Sequence, residues 1–286
     1  MADKPQLSGK PVIINVAPTG MVPTTAENPH VPVTPAQIAA DCERCMTAGG
    51  AIFHLHARDT DESATYRADV YREIISAVKS KCPGVIICVS TSGRTHKEFR
   101  QRSEVLDIDG DEKPEMASLT LGSMNFPKQA SVNDPAMIKG LADRMLERGI
   151  VPELEVFDYG MIDYAKYLIG RGILREPFYF NLLLGSLGTV GATPLNLASM
   201  VASLPSGATW AAAGIGRFQF AMNSLAVTMG GNVRIGLEDN LYEDTGKNQL
   251  ATNPGLIERV VRLARAAERR PASPAEAREL IGLPAR

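Results

Sequence analysis

The chain has 286 residues, 44% hydrophobic and 22% charged, with a formal net charge of −2 and a pI near 6.1, enough apolar material for a sizeable core in one or two domains. Neither a basic stripe nor an apolar run of the roughly 18–20 residues that span a bilayer is present, so no nucleic-acid or membrane partner is expected. The N-terminus lacks the apolar segment of a signal peptide, and the expected location is cytoplasmic.

Residues 11–17 (PVIINVA) form a Val/Ile-rich first strand, broken by Pro18-Thr19-Gly20. A long loop covers residues 21–33. Thr34-Pro35-Ala36-Gln37 then opens a helix, with Thr as N-cap, Pro at the first helical position and Gln placed to complete a capping box. Ile38, Cys42, Cys45 and Met46 give it an apolar face. Cys42 and Cys45 match CxxC, but they lie within a helical pattern and have no second CxxC. Core packing is the expected role, with redox or metal duty the alternative. All four cysteines are expected to be reduced. Gly49-Gly50 ends the helix, and residues 51–58 form the second strand.

The alternation continues. Helices are expected over residues 67–81, 97–107, 134–148, 161–170, 194–203 and 218–229, and strands over 84–90, 116–121, 151–157, 178–184, 209–215 and 232–237. Asn253-Pro254 opens a last long helix, and Ser273-Pro274-Ala275-Glu276 a short one. Mostly apolar strands imply burial on both faces and a parallel sheet. Eight β/α units in about 250 residues match an α/β TIM (β/α)8 barrel. The alternative, a doubly wound open sheet, lacks a GxGxxG after its first strand. No linker splits the chain, so residues 1–286 are expected to be one barrel domain with a short C-terminal helical extension.

In a TIM barrel the active site lies at the carboxyl ends of the strands, where this chain gathers its polar residues. Ile52, His54, His56 and Arg58 share one face of the second strand. The two histidines are then about 6.5–7 Å apart at Cα, close enough to converge on one ion. The bland alternative is a pair of core or surface histidines. The eighth strand brings Arg234, Gly236 and Glu238 to one face, with Asp239 at its end. Two imidazoles and a carboxylate with one open position form a catalytic zinc pattern, supplied here by His54, His56 and Glu238. Such a metal would polarise a carbonyl and stabilise an enolate. Arg234 could orient Asp239 or bind a carboxylate through its fork; the alternative is a plain interior Arg234–Glu238 ion pair. Glu153 and Glu155 share a face of the fifth strand, and either could simply pair with Arg58 or Arg94.

Together, Ala17-Pro18-Thr19-Gly20, Pro32-Val33-Thr34-Pro35, His54-Leu55-His56, Leu121-Gly122-Ser123-Met124-Asn125-Phe126, Pro152 to Asp158 and Gly230 to Asn240 resemble the β-keto acid cleavage enzyme family. The resemblance runs in order to Ala275-Glu276-Ala277-Arg278. It implies a zinc-dependent TIM barrel, usually tetrameric, that exchanges a β-keto acid with acetyl-CoA to give acetoacetate and a new acyl-CoA. Carried over, His54, His56 and Glu238 would bind Zn2+. Asp239, positioned by Arg234, would remove the C2 proton. Ser90 and Thr120 match substrate-binding positions, and one of Glu153 and Glu155, with Glu155 favoured, matches an acidic site residue. One departure bears on substrate. Val22 stands where the family's type member has the glutamate that faces its substrate's amine. An ammonium beside Val22 would be buried without a partner, so an uncharged, aliphatic or hydroxylated tail is expected. Gly-rich segments at 185–191 and 214–217 are weak candidates for CoA contact. A zinc-dependent hydrolase and a non-catalytic acyl-CoA or keto-acid binder are the competing functions.

Overall fold

The computed structural model describes residues 9–127 and 129–284. Eight parallel strands close into a barrel in chain order: β1 (Ile14–Val16), β2 (Ile52–Leu55), β3 (Ile86–Val89), β4 (Met116–Thr120), β5 (Val151–Val156), β6 (Tyr179–Leu184), β7 (Thr209–Gly214) and β8 (Asn232–Ile235). The closing seam sets Val233 opposite Ile14, Arg234 opposite Asn15 and Ile235 opposite Val16. The expected TIM barrel is therefore the fold, and an open sheet is excluded. Around it run α1 (Pro35–Ala48), α2 (Ala68–Lys81), α3 (Phe99–Ser103), α4 (Pro135–Arg148), α5 (Tyr159–Gly170), α6 (Pro194–Ala202), α7 (Gln219–Thr228), α8 (Asn253–Ala266) and α9 (Pro274–Ile281). No helix among the described residues is long and apolar enough to cross a membrane.

Strand alternation sorts the side chains into two regions. Phe53, Leu55, Leu154, Val156, Val233 and Ile235 point outward and share one core with helix residues such as Ile38, Cys42, Ile74 and Leu256. Ile13, Ile52, Ile86, Met116 and Tyr179 form a second cluster with Ala277, Ile281 and Leu283. The C-terminal helix α9 thus plugs the barrel at the amino ends of the strands and leaves polar chemistry to the other end. The capping box of α1 forms as expected, with Thr34 N–H donating to Gln37 Oε1 at 3.0 Å and Gln37 N–H to Thr34 Oγ1 at 3.3 Å. Cys42 and Cys45 are free, buried thiols, and burial pushes both well above the ordinary thiol range.

Four elements differ from expectation. The first run splits: Pro11–Val12 pairs with Arg270–Pro271, while Ile13 donates its N–H to Asn232 Oδ1 and joins the plug. The second strand stops at Leu55, and Ala57–Arg58 turns away to pair with Ala64–Thr65. The helix expected over 97–107 is the five-residue α3 followed by a 3-10 turn at Glu104–Asp107. Its buried apolar residues, Val105 and Leu106, lie in the 3-10 turn, and none lies in the α-helical part. Its central Arg102 is buried instead, donating to Thr91 O at 2.8 Å and Asn133 Oδ1 at 2.7 Å. The eighth strand ends at Ile235, because Gly236 turns the chain with φ +151°.

Gly236 also allows the seam to close tightly. A Cβ there would lie 2.1 Å from Ala17 O, the atom that accepts Glu238 N–H. Gly236→Ala is expected to cost more than about 2 kcal/mol in urea-induced unfolding; a change below about 0.5 kcal/mol would contradict this packing.

Candidate active site

The site is built on β2, β5 and β8. His54 points into the barrel from β2, with Nδ1 2.6 Å from Glu153 Oε2 and Nε2 3.2 Å from His56 Nε2. Glu153 is fully buried and also accepts from Asn15 Nδ2 at 2.5 Å. Burial would raise its pKa, but the His54 imidazole, their hydrogen bond and Arg234 hold it at about 2. As an ionised acceptor, Glu153 assigns the proton to His54 Nδ1 and leaves a lone pair at Nε2. Burial alone would lower the His54 pKa, yet Glu153 and Glu238 outweigh it and leave it raised. Burial dominates at His56 and keeps it low.

Glu238 arrives by the Gly236 turn rather than along a strand. Its Oε1 lies 3.3 Å from His56 Nε2, and its Oε2 lies 4.0 Å from His54 Nε2. Oε2 is buried with no hydrogen-bond partner among the described residues. Ligand atoms about 2.0–2.1 Å from a tetrahedral ion are roughly 3.3–3.4 Å from one another. The two imidazole nitrogens and Glu238 Oε1 stand at nearly that spacing, and the orphaned Oε2 lies 4.0 Å from His54 Nε2; the donor set fits a divalent metal. Cys88 with Glu153 and the other His54 nitrogen forms a second possible group. Its thiol is pushed well above the usual range by burial, however, and Glu153 already accepts two hydrogen bonds.

Arg234 ties the site together. It is 1% exposed, with Nε 3.1 Å from Asp239 Oδ2, one NH2 group 2.9 Å from Glu155 Oε1 and the other 2.9 Å from Glu238 Oε1. Arg234 thus contacts both Asp239 and Glu238. Burial raises the Asp239 pKa against the pull of Arg234. Thr120 Oγ1 donates to the other Glu155 oxygen at 2.7 Å. Both glutamates of β5 therefore face the interior on different levels, and neither pairs with Arg58 or Arg94. Arg58 instead donates to the carbonyls of Gly20, Pro23 and Glu62, anchoring the loop that carries Val22.

These groups open into a cavity of about 750 Å³ at the carboxyl ends of the strands. His54, His56, Glu238, Asp239, Arg234, Glu155, Ser90, Thr120 and Val22 all line it, as do Gly185 and Gly216 from the Gly-rich segments. Sequence reasoning missed Asn15 and the Glu153–His54 pairing. The only signal was a lone polar residue in an apolar strand.

Fold and cavity define a TIM-barrel enzyme with a histidine–carboxylate centre at the carboxyl ends of its strands. Residues 11–283 match the family model for beta-keto acid cleavage enzymes, and the chain belongs to that family. It is 42% identical over 274 residues to a 3-keto-5-aminohexanoate cleavage enzyme of Fusobacterium nucleatum subsp. nucleatum, covering 95% of this chain and 98% of that one. It is 35% identical over 279 residues to a 3-oxoadipate:acetyl-CoA acetyltransferase of Cupriavidus necator, covering 96% of each. Among solved structures, the ternary complex of ObcA with C4-CoA adduct and oxalate shares the fold, with a TM-score of 0.78 and 22% identity over 89% of this chain and 68% of that one.

Removing Arg234 tests the electrostatics. Glu153 and Glu238 are held below their usual pKa of 4.5, so their stabilising contribution is complete above that value and lost as pH falls. Without the guanidinium their pKa values rise, and their ionisation opposes folding as pH increases. In metal-free protein, Arg234→Met is expected to lose about 3–5 kcal/mol at pH 8 and clearly less at pH 5. An equal loss at both pH values, measured by urea unfolding, would contradict this assignment.

Proposed function

We propose that the chain exchanges a β-keto acid without a cationic tail with acetyl-CoA, giving acetoacetate and a new acyl-CoA. The observation that carries this reading is the Asp239–Arg234 pair beside His54, His56 and Glu238 in one cavity. A pure binder has no need of a carboxylate base there, and acetyl-CoA appears in the names of several relatives.

His54, His56 and Glu238 would hold Zn2+, which when bound would polarise the oxygens of the keto acid. Asp239, fixed by Arg234, takes a proton from C2. The resulting carbanion forms a bond to the acetyl carbonyl, and the carbon–sulfur bond breaks to release the CoA thiolate. The thiolate then adds to the original C3 carbonyl, and the C2–C3 bond breaks. Asp239 returns its proton to C2, completing acetoacetate and the new acyl-CoA. Glu155 keeps Arg234 in place, and Ser90 and Thr120 hold the acid. Val22 is 46% exposed at the cavity and offers a cation no partner. Glu27 also lines the cavity, but its Oε2 accepts from Thr24 N–H at 3.0 Å. The family resemblance further supports a homotetramer.

The assay incubates metal-loaded protein with acetyl-CoA and cationic, neutral and anionic β-keto acids, reading both products by mass spectrometry. Acetoacetate is expected only with both substrates, and His54→Ala should lower its formation by roughly 10³-fold or more. Cationic acids should lag by at least about tenfold. Metal-dependent turnover without acetyl-CoA would instead indicate a hydrolase.

A further inference from the structure

Arg94 follows the Ser90-Thr91-Ser92-Gly93 turn after β3 and lines the same cavity as His54, Glu155 and Asp239. Its guanidinium carbon lies 3.6 Å from the centroid of the Phe126 ring. Phe126 is itself held edge-on by Phe157, with centroids 5.9 Å apart and planes at 89°. The guanidinium plane is therefore fixed on an aromatic shelf.

What it lacks is a polar partner. Among the described residues, no side chain or carbonyl accepts from the Arg94 guanidinium, and its buried Nε has no hydrogen bond. The fully buried arginines, Arg58, Arg102, Arg234 and Arg269, are all engaged. Arg58 reaches three carbonyls, Arg234 three carboxylates at hydrogen-bond distance, and Arg269 the carbonyls of Lys10, Pro11, Val227 and Gly231. A guanidinium carries five N–H donors in a rigid fork that matches carboxylate geometry. The fork is half-buried, and keeping its Nε away from water without an acceptor is costly. Glu238, Glu155 and Asp239 act on Arg94 through space without bonding it, which puts it near the reacting centre. Met124, Pro127, Leu187 and Val22 give the same cavity apolar lining.

We propose that Arg94 receives a carboxylate at the far end of the keto acid, so that this chain acts on β-keto dicarboxylic acids. This rests on the exchange reading, in which the keto-acid head occupies the histidine–carboxylate centre. The aliphatic part of the substrate then runs along the apolar wall and ends at the fork. Val22 removes the partner of a cation, and Arg94 supplies the partner of an anion. The uncharged tail expected from the first loop alone is thereby replaced by an anionic one. A phosphate of acetyl-CoA offers the same fork-binding oxygens, and the test separates the two sources.

The test is calorimetric titration of metal-loaded protein with 3-oxoadipate and with 3-oxohexanoate, acids of equal chain length, without acetyl-CoA. Wild-type protein is expected to bind the diacid at least roughly 30-fold more tightly, and Arg94→Gln should reduce that preference below about threefold. Equal binding of both acids by wild-type protein overturns the proposal and needs no variant to fold. So does a raised KM for acetyl-CoA in Arg94→Gln with the acid preference intact, because Arg94 would then serve a phosphate. Because the binding arm requires no turnover, failure of the exchange reading shows separately as absence of acetoacetate when acetyl-CoA is added.

Discussion

One guanidinium makes this barrel interior possible. Arg234 lies among Glu155, Glu238 and Asp239 at 2.9–3.1 Å, with Glu153 at 3.9 Å. Four carboxylates so close would otherwise repel one another in a region nearly closed to water. At an effective dielectric near 20, a contact at 4 Å is worth about 4 kcal/mol, and desolvation costs several kcal/mol per ion. These terms nearly cancel, so the cluster is a poor source of stability. What it does supply is order: the carboxylate oxygens are directed at particular partners, except Glu238 Oε2, which has none among the described residues.

The rest of the fold serves that arrangement. Outward-facing Phe53, Leu154 and Val233 and their neighbours build the strand–helix core. The plug formed by α9 seals the amino ends of the strands. The interior at the carboxyl ends is then free to hold charge, and loops after β1, β3 and β8 bring Val22, Arg94 and Glu238 to a common cavity. Glu153 links the two levels, accepting from Asn15 below and orienting His54 above.

Much of this was legible in the sequence, for identifiable reasons. The alternation of apolar runs and caps reported the barrel because each strand buries both faces. His54 and His56 were visible as a pair two residues apart, although His56 lies just past the strand end. Glu238 reaches the two histidines by another route, since the Gly236 turn delivers it rather than strand periodicity. The two glutamates of β5 could not be told apart, because spacing shows a shared face and not the level. Register supplies the level, setting Glu153 beside Ser118 and Glu155 beside Thr120. Asn15 and Glu153 stand 138 residues apart, and nothing local connects them. The short α3 was overestimated because buried Arg102 replaces an apolar stripe there.

In the proposed reaction Asp239, set by Arg234, removes a C2 proton from a keto acid bound at the histidine–carboxylate centre. Hydrogen–deuterium exchange at C2, followed by NMR in D2O with metal-loaded protein and no acetyl-CoA, tests it most directly. Stereospecific loss of one C2 hydrogen is expected well above the uncatalysed rate, abolished in Asp239→Asn. Exchange at the uncatalysed rate, or exchange that persists in that variant, would contradict it.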